Sequence, residues 1–222
     1  MNNRKNILRE IISITYLLME CNLSVVQNFP IEKSNRDGSI SVEWKNIKNL
    51  SISLKNISYI DIYNELDDNR DYNIKLLDGA LIHMMYRFKD NELLSHRLVF
   101  YPSPYLESYQ NDPEIYEIDE IYADIVYKNI VAFPIRFDYN KDLIDGEFNH
   151  PKSHATLGQY KNCRIPVYGP MAPRTFIEFI FKNFYSKAFY KYLNTKLPDY
   201  CCPFNTIEKA ETTELHFNLA YN

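Results

Sequence analysis

Between Leu76 and Tyr101 the chain carries two runs of alternating side chains separated by Lys89-Asp90-Asn91, and this pattern limits the available folds more than any other stretch. In the first run Ala80, Ile82, Met84, Tyr86 and Phe88 are apolar at every second position; in the second Leu94, Leu98 and Phe100 are, with His96 among them. A period of two belongs to strands with one face buried, and two such runs joined by a short polar turn make an antiparallel hairpin. Asp78-Gly79 supplies turn chemistry before the first arm, and Pro102-Ser103-Pro104 ends the second. The register follows from requiring both apolar sets to share a face. A three-residue loop with Asn91 left-handed pairs Phe88 with Glu92 and Met84 with His96. His83 then lies across from Arg97 on the polar side, with Arg87 and Ser95 beside them.

The flanking segments supply covers and partners for such a hairpin. Asn6 to Glu20 spaces Ile7, Leu8, Ile11, Ile12, Leu18 and Met19 as an amphipathic helix, and Pro173 to about Leu193 does so with Phe176, Ile177, Ile180, Phe181, Phe184 and Ala188. Ser58 to Asn69 reads as a short helix capped by Ser58, with a strand as the other reading. Short strand-like pieces lie around Val25 and from Ile40 to Trp44, the single tryptophan, which is expected to anchor packing. Ile130 to Tyr139 is a strand whose Val131, Phe133, Ile135 and Phe137 face the core while Arg136 and Asp138 face away; Pro134 marks it as an edge or a bulge. Further strands are expected at His154 to Leu157, Arg164 to Tyr168 and Thr213 to Tyr221. The expectation is one α+β domain over residues 1–222, a central antiparallel sheet covered on one face by the N-terminal and C-terminal helices.

Charge and motifs exclude several classes of function. The net charge is −4, which opposes a nonspecific grip on polyphosphate by the whole molecule. Locally the balance reverses: acids dominate Glu107 to Asp124, whereas Lys152 to Lys196 holds Lys161, Arg164, Arg174, Lys182, Lys187 and Lys191 against Glu178 alone. None of Cys21, Cys163, Cys201 and Cys202 forms a C-x-x-C pair, and reduced thiols in a cytoplasm are the simplest account of them. No segment reaches the roughly 18 apolar residues of a membrane span, and the N-terminus lacks the pattern of a signal peptide. With 5 glycines and no G-x-x-x-x-G-K-[ST], G-x-G-x-x-G or G-x-S-x-G, the familiar nucleotide cradles and the hydrolase elbow are absent.

The stretch richest in chemistry is Asn149 to Pro170, NHPKSHATLGQYKNCRIPVYGP. His150 and His154 are spaced as zinc ligands on a helix would be, but Pro151 and Gly158 oppose a helix, and in a strand four residues cover about 13 Å. A turn that added Cys163 would be the remaining route to a metal; none is expected, and no cofactor either. Cys163 with His154 could form a nucleophile pair, yet no oxyanion-forming glycine motif surrounds it. The chemistry that fits best is acid–base catalysis on a phosphate ester, with a histidine moving the proton and an arginine holding the anion. His154, His150, Arg164 and Asp138 are the catalytic candidates, Asp138 orienting a ring, and His83, Arg97 and Arg136 are the substrate-binding candidates.

The segments LLDGALIHMMYRF, HRLVFYPSP and HPKSHATLGQYKNCRIPV, followed by a Phe-rich helix, resemble a bacterial family catalogued only as a domain of unknown function. The resemblance spans most of the chain and implies a bacterial, cytoplasmic, single-domain protein. Asp78, Gly79, His96, Arg97, His150, His154 and Arg164 fall in its signature segments. A place in a bacterial defence or mobile-element locus is expected alongside it. The function expected is recognition of RNA or DNA with metal-independent phosphodiester cleavage, away from any membrane. The alternative is a noncatalytic subunit of a larger assembly that meets a partner protein through its tyrosines, 19 in all. Convergence of His83, Arg97, Asp138, His154 and Arg164 in one concave pocket would favour the first, and scatter the second.

Overall fold

The computed structural model describes residues 4–45, 47, 56–105, 132–143, 150–160, 162–198 and 204–218. These residues form an α+β structure on one nine-stranded sheet whose named strand pairs are all antiparallel. The strands are β1 (Ser24–Gln27), β2 (Pro30–Ser34), β3 (Ile40–Trp44), β4 (Ile74–Leu76), β5 (Leu81–Lys89), β6 (Glu92–Tyr101), β7 (Ile135–Asn140), β8 (Ser153–Leu157) and β9 (Ile165–Pro166). Their main path runs β1-β4-β5-β6-β7-β8-β9. β5 is long enough to take two partners on one edge: β4 pairs with its start at Leu81 and Ile82, and β3 with its end at Tyr86 to Phe88.

The central hairpin corrects the expected register. The connection is a two-residue turn, with Lys89 opposite Glu92 and both Asp90 (φ 51°) and Asn91 (φ 65°) left-handed. Such a turn alone would put the two apolar sets on opposite faces. A bulge between the Arg87–Ser95 and Phe88–Leu93 pairs inserts Leu94 and restores the parity. From there on Tyr86 faces His96, Met84 faces Leu98, and His83 faces Val99 rather than Arg97. Leu93 takes the buried place expected of Leu94.

One face of the sheet presents Ile82, Met84, Tyr86, Phe88, Leu98, Phe100, Phe137 and Ala155 to two helices, α1 (Arg4–Glu20) and α3 (Pro173–Phe184), which touch each other. α1 contributes Ile7, Ile11, Ile14 and Leu18, and α3 contributes Phe176, Ile177, Ile180 and Phe181, all within 1% of full burial. The helix expected to continue to Leu193 breaks at Tyr185 (φ −141°), whose hydroxyl donates to Asp78 at 2.6 Å, and resumes as Ser186–Ala188 and a π-helical turn, Phe189–Leu193. α2 (Tyr59–Asn69), capped by Ser58 as expected, packs Ile62, Tyr63 and Leu66 against Leu81, Val99 and Tyr101 on the opposite face. α2 covers only the end of that face, so the polar side chains of β5 to β8 beyond it form the floor of a cleft.

Pro134 stands just before β7, where it costs no ladder hydrogen bond; its carbonyl accepts from Gly158, and β7 is an interior strand between β6 and β8. Phe133 precedes the strand and is exposed, and Val131 lies outside the described residues. The expected C-terminal strand reduces to one parallel bridge, Val167 with Phe217, with 219–222 outside the described residues. The acidic Glu107 to Asp124 stretch also lies outside them.

α3 begins without a side-chain cap of its own: Ala172 is at the N-cap and Pro173 follows. The acceptor comes from α1, where buried Glu10 takes the Arg174 backbone N–H at 2.6 Å. A carboxylate at a helix N-terminus satisfies an orphan donor and complements the dipole. Glu10→Ala is therefore expected to lower unfolding free energy by about 1–2 kcal/mol, with Glu10→Gln between it and the native protein. Urea denaturation checks this; a loss under about 0.5 kcal/mol would mean the contact is incidental.

Candidate functional site

The antiparallel register lays the functional side chains in rows across the sheet. One row runs Met85, Arg97, Asp138, His154 and Pro166 through β5 to β9, and the adjacent row runs His83, Val99, Arg136 and Thr156. Cross-strand neighbours stand about 5 Å apart, so Arg97 and Asp138, 41 positions apart in sequence, and His154 on the next strand become one cluster. Above this floor is a cleft of about 820 Å3, to which Glu43, Arg87, His150, Tyr160, Cys163 and Arg164 also contribute.

Asp138 is the hub. Arg97 donates to its Oδ1 through Nε at 3.0 Å, and the Arg136 Nε stands 2.6 Å from Oδ2, an ion pair without the alignment of a hydrogen bond. Burial pushes the carboxyl up, but Arg97 and Arg136 together outweigh it and hold Asp138 below its ordinary value, so it is anionic at neutral pH. Arg136 also reaches Thr156 through Nη2 at 3.5 Å. Asp138 is 15% exposed, Arg136 21% and Arg97 34%, so its loss leaves Arg136 in a poorly solvated place while water still reaches Arg97. Asp138→Asn is expected to cost about 2 kcal/mol of stability, less than a fully buried pair because Arg97 remains solvated. A urea titration giving under 1 kcal/mol would instead class these as ordinary surface pairs.

His154 is 5% exposed, and its Nδ1 lies 2.9 Å from the Pro151 carbonyl, an acceptor only, so Nδ1 carries the proton and Nε2 is left basic. Nε2 is 3.9 Å from Asp138 Oδ2. Burial lowers the ring's proton affinity, with the Pro151 carbonyl and Asp138 opposing, so the ring is neutral at pH 7. The His150 ring stands beside it, centroids 5.0 Å apart at 64°. The two therefore meet across the bend at Lys152, although among the described residues no three His, Cys, Asp or Glu converge as a metal-ligand set. Cys163 lines the cleft with its sulfur accepting the Leu157 N–H at 3.3 Å.

Of the expected site residues, His154, His150, Arg164, Asp138, Arg97 and Arg136 line one cleft. His83 does not: it is 2% exposed, wedged between the rings of Trp44 (4.9 Å) and Tyr101 (4.7 Å), where burial takes its pKa down to about 3. The two-residue slip of the hairpin register is what removes it. Glu43, Thr156 and Tyr160 were not singled out in the sequence. Alternation in β3 was the available signal for Glu43, which follows Ser41 on the side that meets Arg87; for Tyr160 none existed.

Residues 23–219 match the family model of an uncharacterised conserved protein. The chain belongs to the DUF2290 family. The match takes in every strand of the sheet and all cleft residues named above, while α1 precedes it. No curated protein and no solved structure matches this DUF2290 chain. Among the described residues no helix is long and apolar enough to cross a membrane.

Proposed function

We propose that the cleft binds nucleic acid by its phosphates and cleaves a phosphodiester bond without a metal. The observation that carries this reading is the gathering of four arginines (Arg87, Arg97, Arg136, Arg164) and two adjacent histidines in one cleft whose lining holds only two described carboxylates, Glu43 and Asp138. The local balance is cationic although the chain is acidic overall. Arg97 engages Asp138 through Nε, which leaves both terminal amino groups outside that bond, in the fork that suits a phosphate.

In the proposed reaction the nucleophile, a water or a ribose 2′-hydroxyl, gives its proton to Nε2 of His154 as its oxygen bonds to phosphorus. The bond from phosphorus to the leaving oxygen breaks, and that oxygen takes a proton from the imidazolium of His150. Asp138 stabilises the charge on His154, and Arg97, Arg136 and Arg164 stabilise the charge on the phosphorane. The proposal sets the protein in a cytoplasm, in keeping with the free thiols of Cys21 and Cys163.

The test is incubation of the full chain with labelled RNA and DNA oligonucleotides in chelator, reading cleavage on gels and binding by anisotropy. Shortened products and a steep fall of affinity with salt are expected. Absence of both binding and cleavage would overturn the proposal. A protein-interaction role has its own observation: Tyr16 and Phe29, 53% and 37% exposed, pack ring to ring (5.1 Å) away from the core.

A further inference from the structure

Resting on the nucleic-acid reading, we infer that Tyr160 is a stacking platform for an unpaired base, so that the cleft takes single-stranded rather than duplex nucleic acid. Tyr160 is 77% exposed, more than any other aromatic ring among the described residues, yet it lines the same cleft as His154, Arg97 and Arg164. A ring displayed in this way contributes nothing to the core, and beside a cationic phosphate track it is the group on which bases of any identity stack.

The loop that carries it is held on both sides by hydrogen bonds. Gly158 is left-handed (φ 66°) and donates its N–H to Pro134 at 2.8 Å. Cys163 donates back to the Tyr160 carbonyl at 3.2 Å, while the Leu157 N–H donates to the Cys163 sulfur. Gln159 reaches to the segment before α2, donating to the Ile57 carbonyl at 2.9 Å. The ring leans over Gly158, its Cδ2 and Cε2 3.5 and 3.6 Å from where a β-carbon would stand, and Phe133, 43% exposed, is at 3.7 Å from the same point. A ring carried on a constrained backbone loses less entropy when a base settles on it than one on a free loop.

The floor argues for a flexible strand. The side chains of Asp138 and His154 are 15% and 6% exposed, below a rim on which Tyr160 stands. A splayed single strand can lower one phosphate to that depth while its base remains on the rim; the stacked bases of a duplex are not free to do so.

Anisotropy with labelled 12-mers tests the inference, using 2′-O-methyl RNA, which lacks the 2′-hydroxyl nucleophile, DNA of the same sequence, and the duplex, with gels after each titration showing the strands intact. The native chain is expected to bind both single strands at least tenfold more tightly than the duplex. Tyr160→Ala should weaken single-strand binding by about tenfold with the salt slope unchanged, and Tyr160→Phe should stay within about twofold. Equal affinity for duplex and single strand, or no effect of Tyr160→Ala, would overturn this inference and leave the phosphate-binding cleft standing. Loss in Tyr160→Phe equal to that in Tyr160→Ala would also overturn it, because the hydroxyl would then be the contact. No binding of any probe would remove both readings. Thermal unfolding of each variant confirms that an exposed side chain was changed without loss of fold.

Discussion

Replacing His154 with glutamine is expected to reduce phosphodiester cleavage by a factor on the order of 10²–10⁴, with strand binding changed far less. The reason is the division of labour between its two nitrogens. Nδ1 is committed to the Pro151 carbonyl, so the proton must be taken at Nε2, the atom that faces Asp138 at 3.9 Å. A glutamine amide can still donate to Pro151, which preserves the turn, but it cannot accept a proton. Because burial holds the His154 pKa below its ordinary value, cleavage by the native protein should rise with pH through a range below about 6.5. Single-turnover rates across pH check both points. An unchanged rate in His154→Gln, or an acid limb that persists in that variant, would sink the assignment.

Acidification is expected to destabilise the fold, with on the order of 3 kcal/mol coming from His96 alone. This ring faces the helices: its Nε2 accepts the Met171 N–H at 2.9 Å, and the Tyr86 hydroxyl donates to the Met171 carbonyl at 2.9 Å. Met171 lies two residues before α3, so these two bonds fix where the helix meets the sheet. Burial is the main cause that takes the His96 pKa down to about 4, against 6.5 for an exposed ring, while Asp138 opposes it. Between those values the unfolded chain binds a proton that the folded chain refuses, so lowering pH favours unfolding. The contribution is complete above about 6.5 and is lost as pH falls toward 4. Protonation would also place a hydrogen on Nε2 against the Met171 N–H. Urea titrations at pH 7.5 and 4.5 should show the loss, and His96→Gln, which keeps an acceptor for Met171 but does not titrate, should shrink it. An equal pH dependence in both proteins would refute the role. Buried His83, at about 3, adds a second contribution of the same sign.

Much of the fold was legible because it depends on local pattern. The alternation in β5 and β6, the three-to-four-residue spacing in α1 and α3, and Ser58 before α2 each report which side of an element is buried, and the structure has α1 and α3 on the sheet face those patterns chose. The misreadings share a cause. Nothing in Lys89 to Leu94 tells a three-residue loop from a two-residue turn followed by a bulge at Leu94; the second shifts the register by two relative to the first and moves His83 away from Arg97. Pro134 was read as a flaw within a strand because a strand's first residue cannot be seen before its neighbours are known. Likewise, Glu10 as the cap of a helix whose donor Arg174 lies 164 residues further on has no sequence signature, since acceptor and donor are brought together only by the packing of α1 on α3.

By itself, then, the sequence determined which residues have a buried side, that hairpin and helices make an α+β sheet protein, and that the reactive groups concentrate in Asn149 to Pro170 and the polar sides of its neighbours. Those are properties of one chain segment at a time, set by the periods of strand and helix. Only the tertiary structure decided which polar residues meet. Arg97, Asp138 and His154 form one row because three antiparallel strands come into register, His83 is excluded because a bulge fixes that register, and Tyr160 stands on the rim because a left-handed glycine turns the chain there. The physical reason is that burial is read along a chain, whereas a site is a set of distances between chains' worth of sequence, and those are fixed by the long-range ladder alone.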